Sequence, residues 1–249
     1  MNPLQVLFED NHLLVINKPS GLATMGSESG PTLHSLGCSY LKKKYHKPGN
    51  VYLGVVSRLD AMTSGVIVFA RTSKAATRLN QQFSGTQKKV ANKVYLALVN
   101  GNLPVGTSAH WNDHVYKDDA AHRMKASPQR HAGTKEASLS WTSLHSQGDW
   151  SLVAVKIHTG RKHQIRLQFS LRDHAVLGDR KYDSTKPFSQ GIALHSWSLT
   201  IDHPTQKDSM TFHAPPPDNW RPYLDQVSAQ NHPVSDASLP SRVQSILDQ

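Results

Sequence analysis

Apolar and polar positions fall along the chain in short blocks whose spacing predicts an α+β fold. Val6 to Phe8 and Leu13 to Ile16 are apolar runs joined by the polar turn Glu9-Asp10-Asn11-His12, and they read as two strands. Pro19 and Gly21 end the second strand and require a loop. Beginning at Thr32, a candidate N-cap, Leu33, Leu36, Tyr40 and Leu41 recur at helical spacing, and the helix closes on the basic run Lys42-Lys43-Lys44-Tyr45-His46-Lys47. Val66 to Ala70 is a continuous apolar run rich in β-branched residues and reads as a buried strand. Ser73 is the expected cap of a helix reaching about Phe83. Lys93 to Val99, Ala137 to Leu144 and Trp150 to His158 read as strands, the last two joined at Gly148-Asp149. His163 to Leu171 is helical in pattern, and strands at Ile192 to Ile201 and Met210 to Phe212 follow. Strands outnumber helices and pair through short turns, which predicts a mixed, largely antiparallel central sheet with flanking helices. Pro215, Pro216, Pro217, Pro222, Pro233 and Pro240 mark the end of the chain as a tail, partly helical around Ser241 to Leu247 or disordered.

Charge changes this picture by naming a partner class. The 249 residues carry 28 Lys+Arg against 18 Asp+Glu, a formal net charge of +10, so the expected partner is polyanionic: nucleic acid first, an acidic membrane surface second. The excess is +8 over residues 1–100, +4 over 101–214 and −2 beyond, so the tail is not a binding arm. A single cysteine, Cys38, excludes an internal disulfide framework and a zinc site built on several thiolates, and fits a reducing compartment. No apolar run approaches the roughly 20 residues that span a bilayer, and Met1-Asn2-Pro3-Leu4-Gln5 does not open a signal peptide. These features predict a soluble cytoplasmic protein; the expected state, which no sequence feature fixes, is a monomer.

Several common motifs fail. Gly101 to Ser108 has the glycine spacing of a phosphate-binding loop, but Thr107 stands where the lysine belongs. His110 and His114 are four apart without a glutamate at position 111, and read as exposed histidines in a turn rather than metal ligands. No serine elbow and no dinucleotide fingerprint occur.

Two clusters carry candidate chemistry. In Ser57-Arg58-Leu59-Asp60-Ala61-Met62-Thr63-Ser64-Gly65, a polar turn is held against the buried strand. If Arg58 to Asp60 is extended, both side chains project to one face, where the guanidinium would keep the carboxylate ionised. Such a carboxylate is either a nucleophile toward a sugar or electron-poor ring, or half of an ordinary ion pair. Thr159-Gly160-Arg161-Lys162-His163-Gln164-Ile165-Arg166 runs from a strand into a helix. Its free N–H groups with Arg161 and Lys162 suit a phosphate, and Arg166 is expected on the face of Lys162, within reach of a carboxylate elsewhere. A solvated basic helix end would look the same.

Taken together and in order, these segments resemble the RluA family of RNA pseudouridine synthases over roughly residues 4–220. LQVLFEDNHLLVINKPSGL (Leu4 to Leu22) is similar to the family's opening strand, turn and Lys-Pro-x-Gly-Leu loop. RLDAMTSGVIVFA (Arg58 to Ala70) resembles its catalytic motif, KVYLALVNG (Lys93 to Gly101) its tyrosine motif and TGRKHQIR (Thr159 to Arg166) its third motif. GDRKY (Gly178 to Tyr182) and LHSWSLTIDHP (Leu194 to Pro204) match further segments. The resemblance implies a catalytic domain over residues 1–220 and a tail over 221–249, in a short member without an S4-type RNA-binding domain. It implies isomerisation of a specific uridine to pseudouridine in tRNA or rRNA, with no cofactor and no metal.

By the same resemblance Asp60 is the nucleophile, attacking either the ribose or the uracil ring. Tyr95 stacks on the target base and is a candidate proton acceptor, Arg166 pairs with Asp60, and Arg58 fills the space left by the flipped nucleotide. Thr63, Arg161, Lys162 and His163 complete the expected substrate-binding set. The target atoms are inaccessible in a stacked helix, so the nucleotide must be extruded or taken from a loop. Lys42, Lys43, Lys44, Lys47, Lys88, Lys89, Lys93, Arg123, Lys125 and Arg130 are the expected phosphate contacts. Three positions depart from the family pattern: Ser57 for a usual His, Gln168 for a common His, and Asp183 for a usual Gly. They keep a second expectation in play, a non-catalytic RNA-binding or RNA-folding protein on the same scaffold; a membrane-surface protein has only the net charge behind it.

Overall fold

The computed structural model describes residues 4–26, 30–85 and 90–229. In chain order the elements are β1 (Gln5–Glu9), β2 (Leu13–Lys18), α1 (Leu33–Lys44), β3 (Gly54–Val55), β4 (Ser64–Ala70), α2 (Ser73–Ser84), β5 (Asn92–Asn100), β6 (Ser108–Asp118), β7 (Arg123–Ser127), β8 (Lys135–Gln147), β9 (Trp150–Ile157), α3 (Gln164–Ser170), β10 (Leu194–Asp202), β11 (Ser209–His213) and α4 (Arg221–Ala229). The chain divides into two compact units, one of residues 1–93 and 196–216, the other of 94–195 and the segment from 217 onward.

In the first unit the strands run β1-β2-β4-β10, with β3 on β4 and β11 on β10. The β1-β2, β2-β4 and β10-β11 registers are antiparallel. Alternate residues of β2 and β4 enter two different cores. Leu13, Val15, Val66 and Val68 pack with Ala75 and Leu79 of α2, whereas Leu14, Ile16, Ile67 and Phe69 pack with Leu33 and Leu41 of α1. Burial on both faces is why these strands appear in the sequence as unbroken apolar runs. Thr32 caps α1 in a reciprocal pair of bonds with Ser35. The cap of α2 is Thr72, one residue before the expected Ser73, because the Thr72 hydroxyl accepts from Ala75 N at 3.1 Å.

In the second unit the strand order is β5-β9-β8-β6-β7, and β5-β9, β8-β9, β6-β8 and β6-β7 pair antiparallel. The expected turn at His110 and His114 is instead the long strand β6, whose backbone is paired on both sides. Its polar residues alternate with Trp111 and Val115, so no long apolar run betrays it. Val115, Met124, Ala137, Leu167 and Tyr182 form a small core beneath α3. The Pro-rich end contains α4, with Tyr223 edge-on to Trp150 at 5.1 Å. The expected helix at Ser241 to Leu247 lies outside the described residues.

Candidate active site

Asp60 lies in the turn that leads from β3 into β4, half-buried, with Thr63 N closing the turn on the Asp60 carbonyl at 3.1 Å. The backbone on both sides of it is fixed by the segment that follows β2. Thr24 Oγ1 donates to the Leu59 carbonyl at 2.9 Å and accepts from Leu59 N at 3.2 Å. Ser20 Oγ donates to the Met62 carbonyl at 2.7 Å, and Gly21 N to that of Ala61 at 2.9 Å. Lys18, fully buried, spreads its ammonium over the carbonyls of Pro19 (2.8 Å), Leu22 (2.7 Å) and Ala61 (2.9 Å). Burial pulls the Lys18 pKa down to about 7, while the negative charge of Asp60 pulls it the other way. Gly65, at φ +111°, presses on the Ser196 backbone, where any Cβ would overlap the carbonyl oxygen.

Arg58 is exposed and Asp60 is half-buried. Within this unit Lys18, a residue to which the motifs gave no role, feels the negative charge of Asp60. The available signal was a lysine ending an apolar strand, since a buried ammonium must find acceptors. Thr63 is buried beside the turn.

Tyr95, Arg161, Lys162, His163 and Arg166 belong to the second unit. Tyr95 is buried on β5, in register with Val155. At Thr159 to Gln164 a side chain occupies the groups expected to greet an anion. Gln164 Oε1 accepts from Thr159 Oγ1 (2.8 Å) and Arg161 N (3.0 Å), and its Nε2 donates to the Ser138 carbonyl at 2.9 Å. Arg161 Nε donates to the Glu136 carbonyl at 2.8 Å. Helix α3 starts only at Gln164, so Lys162, exposed, and Arg166, 6 % exposed, do not lie on a common face.

His163 and Arg166 are brought together through Tyr182. The His163 backbone is left-handed at φ 53°, and its Nδ1 bonds the Tyr182 hydroxyl at 2.8 Å. The Arg166 guanidinium stands 5.0 Å over the same ring and lays Nε and Nη2 on the two Asp179 oxygens at 2.6 and 2.8 Å. Burial raises the Tyr182 phenol, and a bond from Met124 N opposes it.

Two of the three departures from the family pattern, Gln168 and Asp183, have local partners. Gln168 Nε2 donates to Asp113 Oδ2 at 2.7 Å and to the Ala137 carbonyl at 3.1 Å. Asp183 adopts the left-handed conformation at φ 65° that glycine would favour, and pairs with Arg123 at 3.3 Å. Among the expected phosphate contacts, Lys44 is bound to Glu9 at 2.8 Å, Lys125 to Asp118 at 2.6 Å, and Lys93 lies over Phe83 at 5.5 Å. Lys42, Lys43, Lys47 and Arg130 are exposed. Lys88 and Lys89 lie outside the described residues.

An antiparallel α+β scaffold that displays a carboxylate on a rigidly held turn defines a class. The family model for RNA pseudouridylate synthase matches residues 12–171. The dual-specificity RNA pseudouridine synthase RluA of Haemophilus influenzae is 32% identical over 222 residues, covering 85% of this chain and 92% of the relative. Its Escherichia coli counterpart is 34% identical over 215 residues, covering 85% and 93%. A ribosomal large subunit pseudouridine synthase D of Nitrosomonas europaea is 30% identical over 259 residues, covering 96% and 69%. The chain belongs to the RluA family of RNA pseudouridine synthases, isomerases that act on RNA. Its fold is that of human RNA pseudouridylate synthase domain containing 4, which superposes with a TM-score of 0.73 at 22% identity over 90% of this chain and 92% of that one.

Proposed function

We propose that the protein converts a particular uridine of tRNA or rRNA to pseudouridine, with Asp60 as nucleophile, from a catalytic domain spanning residues 1–220. The observation that supports this most is the turn around Asp60, whose flanking carbonyls are held by Lys18, Ser20, Gly21 and Thr24. A nucleophile must meet its carbon in a fixed direction, and holding it so removes the entropy of searching. In the isomerisation the C1′–N1 bond breaks, the uracil turns, C1′–C5 forms, and a proton leaves C5 while N1 gains one. Asp60 adds and departs, so nothing is consumed. In this reading Tyr95 stacks on the base and accepts the C5 proton. Arg58 takes the place of the extruded nucleotide, and Arg166 serves as the guanidinium partner that the resemblance assigns to Asp60. Thr63, Arg161, Lys162 and His163 contact the RNA, and the enzyme works as a cytoplasmic monomer without a cofactor.

The test is a pseudouridine map of total RNA from cells with and without the gene, repeated with the Asp60→Ala gene restored. A site in tRNA or rRNA lost on deletion, and not recovered with Asp60→Ala, is expected. An unchanged map would overturn the proposal.

A further inference from the structure

We infer that Asp179, backed by Tyr182, is the positioning residue for Arg166; the inference rests on the role given to Arg166 above. Three observations in one unit converge. First, the carboxylate grips the guanidinium by one whole edge, Nε and Nη2, at 2.6 and 2.8 Å, with Asp179 only 1% and Arg166 only 6% exposed. A two-point contact between planar groups fixes rotation as well as distance, which a single bond does not. Second, the Tyr182 ring, fully buried, lies under the guanidinium at 5.0 Å and sets its tilt. Third, the phenol is itself anchored: Met124 N donates to its oxygen at 3.0 Å and His163 Nδ1 meets it at 2.8 Å. Holding His163 in that contact requires a left-handed backbone at φ 53°, a conformation uncommon for a residue with a Cβ.

Asp179 and Tyr182 stand together on the short 3-10 turn Arg180–Tyr182 and its entry. The segment GDRKY therefore carries a layer whose product is the orientation of one guanidinium. Asp179 occupies the Nε edge and sets the direction in which the Nη1 edge points. Asp179 also balances the charge of Arg166, so that the buried cation does not have to be solvated. Neither residue needs to touch RNA.

The test compares purified wild type, Asp179→Asn, Arg166→Lys and the double variant by single-turnover pseudouridine formation on the RNA identified by the map, alongside RNA affinity. Asn keeps the shape but loses the charge and one acceptor, so the rate is expected to fall at least thirtyfold with affinity within threefold. Adding Asp179→Asn to Arg166→Lys is expected to cost less than a further threefold, because both changes spoil one element. Near wild-type rate, a loss fully additive to Arg166→Lys, or rate and affinity falling in parallel would each overturn the inference. If Asp179→Asn gives no native melting transition, Asp179→Glu carries the test. The longer acid keeps the pair but displaces the guanidinium by about one methylene, so a folded protein with a tenfold or greater rate loss is expected, and an undiminished rate refutes it. A wild type that makes no pseudouridine overturns the proposed function instead, and Asp179 then has no such role.

Discussion

The Lys18 ammonium and the Ala61 carbonyl meet at 2.9 Å across 43 residues of sequence, and Ala61 directly follows Asp60. The same ammonium holds Pro19 and Leu22, so one buried cation joins the loop after β2 to the turn that presents the candidate nucleophile. Replacing it by methionine takes a donor from three carbonyls, of which Ala61 keeps the bond from Gly21 N. Lys18→Met is expected to cost about 3 kcal/mol of stability and to lower the melting temperature by about 9 °C, which thermal melts would measure. A change under about 2 °C would refute the role given to Lys18.

The Lys18 pKa also sets a pH dependence. Its folded value near 7 lies below the 10.5 of the unfolded chain, so the unfolded state binds more protons between these values. The penalty for burying the charge is full below pH 7 and is withdrawn as pH rises. The stability gap between wild type and Lys18→Met is therefore expected to widen from pH 6.5 to 9 in urea titrations. A constant gap would show that Lys18 does not titrate there.

Glu9 gives the opposite sign. Burial pushes its carboxyl up, but hydrogen bonds from Lys44, Tyr45 and Tyr40 outweigh this and leave it below its ordinary value of 4.5. Its contribution is present above that value and lost as pH falls through the folded one. Glu9→Gln is expected to cost about 2 kcal/mol at pH 7, with wild type and variant converging as pH falls below 4.5. A difference that does not shrink on acidification would contradict the assignment.

For the chemistry, Asp60→Asn removes a nucleophile and keeps its shape. Pseudouridine formation is expected to vanish while RNA affinity stays within about threefold, as read by filter binding and nucleoside analysis. Joint loss of both would assign Asp60 to binding.

The lysines of α1 should separate by partner. Lys42→Ala and Lys43→Ala are each expected to reduce the slope of log affinity against log salt by about 1, whereas Lys44→Ala, which breaks the pair with Glu9, should mainly lower stability. Equal slopes for all three would identify Lys42 and Lys43 as solvated surface.

What the sequence made legible follows from how many faces an element buries. Strands β2 and β4 were readable because both of their faces enter a core, while β6 and β7 were not, since polar residues such as His110, Asn112 and Lys117 break their apolar pattern. Asp60, Tyr95 and Arg166 stood out through their motifs. The Lys18 contacts and the grip of Asp179 on Arg166 did not, because backbone carbonyls carry no sequence signature and the choice of a carboxylate 13 residues away is made by tertiary packing. The same holds for Lys44, whose place in a basic run conceals a structural ion pair.

The first unit is assembled from residues 1–93 and 196–216, and its strand β10 begins 124 residues after β4 ends. On a ribosome adding about 5–20 residues per second, β4 therefore waits about 6–25 s with its hydrogen-bonding edge open before Ser196 to Asp202 can emerge to cover it. Newly made chains should be most prone to mispair and to recruit chaperones in that interval, and slowing synthesis between residues 94 and 195 would lengthen it.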